Sequence, residues 1–278
     1  MAAVYRQMNY DGVAVGAYDL AAGLDVVLTA GKIGVPWISA NLTDTNNTLL
    51  FEPYRSVRVG TLRIAVIGLT AEDTAPRPND YLVIPANEAL SGLLPDISGD
   101  HDLVVLLSSG SITQATQIAE RFPEIDLIIG ADPKRNSVPS FLANNAIVVQ
   151  SGNRGMSLGF LKARWTGQPW GIDPEQERAR LMERLASLSW QISRLKNQNQ
   201  RDPSASSRKM EALLTAQQQA ETELARMTAT RSASVTGDSP STFQALLLPL
   251  RSSFAEDPTI RALIDKGKQR AVEHNGSN

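Results

Sequence analysis

Five apolar runs, each closing on small or polar residues, constrain this chain more than any other feature: residues 13–19 (VAVGAYD), 36–41 (PWISAN), 63–70 (RIAVIGLT), 103–111 (LVVLLSSGS) and 126–132 (DLIIGAD). The central runs are Val, Ile and Leu without polar alternation, the pattern of strands buried on both faces. Residues 13–15, 37–39, 62–69, 103–107, 127–129, 147–150 and 158–164 read as strands, and 20–32, 86–94 and 113–121 as helices between them. That alternation implies a layered α/β sheet, which presents its functional groups at strand ends. Residues 51–59 do alternate, and Gly60-Thr61 behind them reads as a hairpin turn into 62–69.

At 278 residues the chain has room for one sizeable core and an appendage. A net charge of −2 leaves no electrostatic footprint for nucleic acid or anionic lipid. The absence of cysteine excludes disulfides, thiolate metal sites, a cysteine nucleophile and CxxCH haem attachment within these residues. No apolar run approaches the roughly 20 residues that span a bilayer. Residues 1–10 lack a basic segment followed by an apolar one, so they do not read as a signal peptide. They read as the tail of a helix entering a strand, with the expectation that the domain is incomplete at its N-terminus.

Beyond residue 166 the pattern changes. Asp173 is a good N-cap and Pro174 fits the first helical position. Leu181, Leu185, Leu188, Ile192 and Leu195 then recur at alternating steps of four and three, the seam of a coiled coil. A turn at 201–207 interrupts, and a second helix is expected from about Ser207, with Met210, Leu213, Ala220, Leu224 and Met227 as a weaker stripe broken by Gln217. Residues 173–230 therefore read as a helical hairpin. Residues 231–241 read as a linker, and 242–250 with 258–272 as a last amphipathic segment. The expected domains are 1–168 (α/β), 173–230 (hairpin) and 231–278 (linker and C-terminal helix).

The order, spacing and strand context of the five runs, with residues 148–159 (VVQSGNRGMSLG), resemble the calcineurin-like metallophosphoesterases, in particular their bacterial 5′-nucleotidase branch. The likeness extends over residues 2–166. It implies the C-terminal part of a layered metallophosphoesterase sheet, and an exported or periplasmic protein. It also implies two divalent metal ions, and here the sequence departs from the family. Where the family has Gly-Asn-His-Glu, this chain has Gly16-Ala17-Tyr18-Asp19. Ala17 ligates nothing; Tyr18 either donates its phenol to a phosphoryl oxygen or packs, and Asp19 either replaces the Glu or caps the following helix. The family's metal-binding Ser-His is Ser108-Ser109, whose turn either cradles an anion on its amides or has no such role. Gly-Gly-His-x-His is replaced by Gly130-Ala131-Asp132-Pro133-Lys134, leaving Asp132 as the one plausible metal donor.

The family's Asp-x-His and Gly-Asp strands have no counterpart, so the two-metal arrangement, with ions roughly 3.5–4 Å apart, cannot be assembled from these residues and no cofactor is expected. His101 precedes its strand, at the end away from the site, and His274 lies in the tail. There is no Gly-x-Ser-x-Gly elbow, P-loop or Gly-x-Gly-x-x-Gly, and Ser108 or Ser109 as a nucleophile has no evident base. Arg135 and Arg154 are candidates for binding a phosphate or carboxylate. The closest pattern is a branch with Gly-x-x-Asp-Leu and Leu-Ser-Ser, matched by residues 16–20 and 107–109; its members often carry a helical insert and downstream haem motifs, and this chain has no haem motif. Two functions follow. One is a hydrolase-like domain without metal-dependent activity that binds a nucleotide or other phosphorylated molecule. The other is an interaction or scaffold protein acting through residues 173–230, or through an open sheet edge, as a homo- or hetero-oligomer.

Overall fold

The apolar runs become the middle of a sheet. The computed structural model describes residues 2–71, 81–152, 155–171, 174–198, 203–233, 240–251 and 253–275. The chain enters through α1 (Ala2–Gln7), β1 (Val13–Ala14), α2 (Ala17–Leu20) and α3 (Leu24–Lys32). One helix was expected over 20–32; Gly23, at φ +98°, parts α2 from α3 because that backbone conformation is open chiefly to glycine. Short strands β2 (Trp37–Ile38) and β3 (Leu42–Thr43) lead to the hairpin β4 (Tyr54–Val59) and β5 (Leu62–Leu69), turned at Gly60-Thr61 as expected. The chain continues through β6 (Leu82–Val83), α4 (Ala86–Ile97), β7 (Leu103–Ser108), α5 (Ile112–Arg121), β8 (Leu127–Gly130), β9 (Val138–Ala143) and β10 (Ala146–Gln150).

Six strands form one sheet in the order β4-β5-β7-β8-β10-β9. The inner four are parallel, in register Ala65 to Val104, Val105 to Leu127 and Leu127 to Ile147, and β4 and β9 close the edges antiparallel. The helical connections α4 and α5 supply the crossover that parallel neighbours require. Ile67, Val104, Leu106 and Ile128 meet Leu90 and Leu94 of α4 and Ile118 of α5 in the main core. Leu103, Val105 and Leu107 of β7 are only half-buried, so one face of that strand is more fully covered than the other. β9 escaped the sequence reading because Pro139 interrupts its pattern, which an edge strand tolerates.

A second core gathers Val15, Leu20, Val27, Trp37, Leu42 and Tyr81 around the parallel pair β1–β2. This pair lies against β5 at Gly68, where a Cβ would stand 2.3 Å from the Ile38 carbonyl oxygen. Ser39, Asn41 and Thr70, all buried, tie the ends together. The Asn41 side chain donates to the Thr70 and Ile84 carbonyls and accepts from the Thr70 amide, and Thr70 Oγ1 donates to the Val15 carbonyl.

The last elements are β11 (Ser157–Arg164), β12 (Trp170–Gly171), α6 (Pro174–Gln198), α7 (Pro203–Ala233), β13 (Ser241–Pro249) and α8 (Pro258–Asn275). The chain divides into two compact units, residues 1–161 with 245–278, and residues 162–244. In the second unit α6 and α7 pack on each other. Leu181, Leu188 and Ile192 are buried and Leu185 and Leu195 half-buried, while Met182 and Trp190 on α6 are exposed. α7 begins at Pro203, earlier than expected, since proline is at home in a first helical turn. The segment expected to be amphipathic at 242–250 is mostly strand β13, paired in parallel with β12 at Trp170–Ser241 and Gly171–Thr242. Buried Ser241 anchors it, donating to the Gln168 carbonyl and accepting from the Thr166 amide. Such distant partners leave no local periodic signal. α8 falls in the first unit, where it contacts α1.

Candidate functional site

The ends of β5, β7 and β8 lie side by side, with Leu69 beside Ser108 and Ser108 beside Gly130, and residues in and after β1 join those of β7 and β8 at the same edge. A cleft of about 610 Å³ opens there, within the first unit. Tyr5, Tyr10, Tyr18, Asp19, Ser108 and Ser109 line it together with Leu107, Ile129, Ala131, Pro133 and Ser151. Crevices outside the carboxyl ends of parallel strands are the usual ligand sites of such sheets.

Tyr18 does not pack. It is 81% exposed, because the single turn of α2 turns Ala17 and Leu20 inward and leaves Tyr18 at the cleft. Asp19 caps the start of its own helix: Oδ2 accepts from the Gly16 amide at 2.9 Å. The following helix α3 has Gly23 at its cap, so the expected role of Asp19 there is not found. Burial raises the Asp19 carboxyl above the ordinary carboxylate range, and the Gly16 amide partly opposes the shift. Burial also raises the Tyr5 phenol, with the Asp19 charge and then Tyr10 adding to it.

The serine-rich turn is closed on itself. Ser108 Oγ accepts from the Gly110 amide, Ser109 Oγ from the Ala71 amide, and Ser111 Oγ caps α5 at Gln114. Ile112 donates its amide to Asp132 Oδ2 at 3.3 Å. The amides of Gly110, Ile112 and Gln114, which an anion cradle would use, are thus already engaged.

Asp132 is buried, and its carboxylate holds backbone rather than facing the cleft. Oδ1 accepts from the Lys134 amide at 2.8 Å while Oδ2 takes Ile112. Gln150 clamps the same loop, accepting from the Asp132 amide and donating to the carbonyls of Asp132, Arg135 and Asn136. Arg135 is exposed and does not line the cleft; Arg154 lies outside the described residues. His101 binds Ser56 Oγ and the Ile97 carbonyl before β7, away from the cleft. Among the described residues no group of three or more His, Asp or Glu is placed to hold a metal ion. Among the described residues the donors do not fit the family's two metals.

Tyr5 and Tyr10 escaped the sequence reading because nothing local marks the segment before β1 as reaching strand ends. Ser39, Asn41 and Thr70 were visible as polar residues closing apolar runs, but only the fold shows that they bond one another.

No protein-family model matches the chain. Over 79 residues, 28% of this chain, it is 37% identical to a 5′-nucleotidase of Vibrio parahaemolyticus, covering 14% of that protein. A solved 5′-nucleotidase precursor from Thermus thermophilus matches 60% of this chain with a TM-score of 0.53 and 21% identity. The fold is that of the 5′-nucleotidases. The same 5′-nucleotidase-like arrangement is found in the Thermus thermophilus sulfate thiohydrolase SoxB, with a TM-score of 0.54 and 21% identity over 60% of this chain. The 5′-nucleotidase-like chain spans 38% and 32% of these two structures. Among its described residues no helix is long and apolar enough to cross a membrane.

Proposed function

We propose that the chain is a 5′-nucleotidase-like hydrolase domain that binds a small molecule in its strand-end cleft without metal-dependent turnover. The carrying observation is that Asp132, the one donor kept at the matched metal positions, spends both carboxylate oxygens on backbone amides. Ala17 and Ser109 stand at the other matched positions, and the Ser109 hydroxyl is bonded to Ala71. The family likeness supports a nucleotide or other phosphorylated ligand, although Arg135, a candidate for that role, is not among the lining residues. Export follows from the same likeness, one solved relative being a precursor.

The test is turnover of nucleoside monophosphates, cyclic nucleotides and a chromogenic phosphodiester with added Mn²⁺ or Zn²⁺. No rate above metal alone is expected. Metal-dependent turnover abolished by Asp132→Ala overturns the proposal. A second reading, a scaffold acting through the helical unit, is supported by Trp190, 61% exposed beneath the Arg194 guanidinium. Sedimentation of the full chain and of Trp190→Ala tests it: a concentration-dependent oligomer weakened by the variant supports it, and a monomer in both excludes self-association through that face.

A further inference from the structure

We infer that the strand-end cleft selects an organic cation, a small ammonium compound with an apolar body, in place of the phosphate that the family's metals would hold. The inference rests on the reading of this cleft as a ligand site and names the ligand's chemistry. Three tyrosines and one carboxylate converge on it, and among the described residues that line it there is no Lys, Arg or His. Tyr5 and Tyr10 meet edge to face with ring centroids 5.7 Å apart. Tyr18 stands free at the cleft, 81% exposed.

Asp19 supplies the charge. One of its oxygens holds the Gly16 amide, and among the described residues the carboxylate makes no ion pair and no second hydrogen bond. A partly desolvated carboxylate with a spare oxygen is a strong acceptor for an ammonium N–H. Aromatic faces attract the same cation through their quadrupoles. Leu107, Ile129 and Pro133 offer an apolar wall for the rest of the molecule. An anion meets the opposite situation: Asp19 repels it, and the turn amides nearby are taken by Ser108, Ser111 and Asp132. A lone carboxylate is also too few donors for a divalent ion that the protein must hold.

Calorimetric titration of the full chain with phenethylammonium chloride, AMP, inorganic phosphate and MnCl₂ tests this. Phenethylammonium is expected to bind, and the other three are not. Asp19→Asn, which keeps an acceptor for the Gly16 amide, should weaken binding by on the order of tenfold. Tyr18→Ala, a change at an exposed side chain, should weaken it about threefold. Binding of AMP or phosphate with no binding of phenethylammonium overturns the cation inference and leaves the ligand-site reading standing. Binding of none of the four overturns both, and phenethylammonium binding unchanged in Asp19→Asn and Tyr18→Ala places it elsewhere and overturns the inference.

Discussion

Asp132 accepts from two backbone amides, one at the first turn of α5 and one in the loop after β8. Asp132→Ala is therefore expected to destabilise the fold by about 1–3 kcal/mol, read from urea unfolding. Asp132→Asn, which keeps one acceptor, should lose less; equal stability of wild type and Asp132→Ala would show that the carboxylate is not structural. Asp126 gives a prediction of different sign. Burial pushes its carboxyl up to about 6, partly opposed by the Val104 amide it accepts from. In the unfolded chain it ionises near 3.8, so between those values the folded state retains a proton the unfolded state has released. Its contribution thus falls as pH rises from about 4 to about 6 and is level above. Asp126→Asn should remove that fall and gain up to about 3 kcal/mol over wild type at neutral pH, measured as the difference between their unfolding curves. At this scale the sequence shows Ala17 and Ser109 where the resembled family carries ligands, because residue identity is legible in one dimension. It did not expose what Asp132 does, since its partners at Ile112 and Lys134 are set by how α5 meets the loop.

Among the elements, β5 is the most tightly constrained, through Gly68. A methyl group there would press on the Ile38 carbonyl at 2.3 Å, a backbone atom fixed by the parallel pair β1–β2. Gly68→Ala should cost about 3 kcal/mol or more, or abolish folding. Gly92→Ala is the control: nothing lies within 4 Å of its Cβ position in α4, and alanine should stabilise that helix by up to about 1 kcal/mol. Equal midpoints for the two variants in thermal or urea unfolding would contradict the close approach. The inner strands β5, β7, β8 and β10 were legible because a strand buried in a parallel sheet is apolar throughout. β12 was not, since its two residues, Trp170 and Gly171, leave no period to detect. The seam from Leu181 to Leu195 was legible because side chains at helical spacing must share a face.

The whole chain is two units, one carrying the sheet and the cleft, the other carrying the helices α6 and α7. The fold is 5′-nucleotidase-like, and at its strand ends the side chains of Ser108, Ser111, Asp132 and Gln150 accept from nearby backbone amides. A fold does not by itself carry a chemistry, so the proposed absence of metal-dependent turnover is tested at these strand ends. Equilibrium dialysis against Mn²⁺ and Zn²⁺ tests this most directly. No stoichiometric binding at micromolar metal is expected of either wild type or Asp132→Ala. Two ions retained per chain by the wild type, and lost in Asp132→Ala, would contradict it.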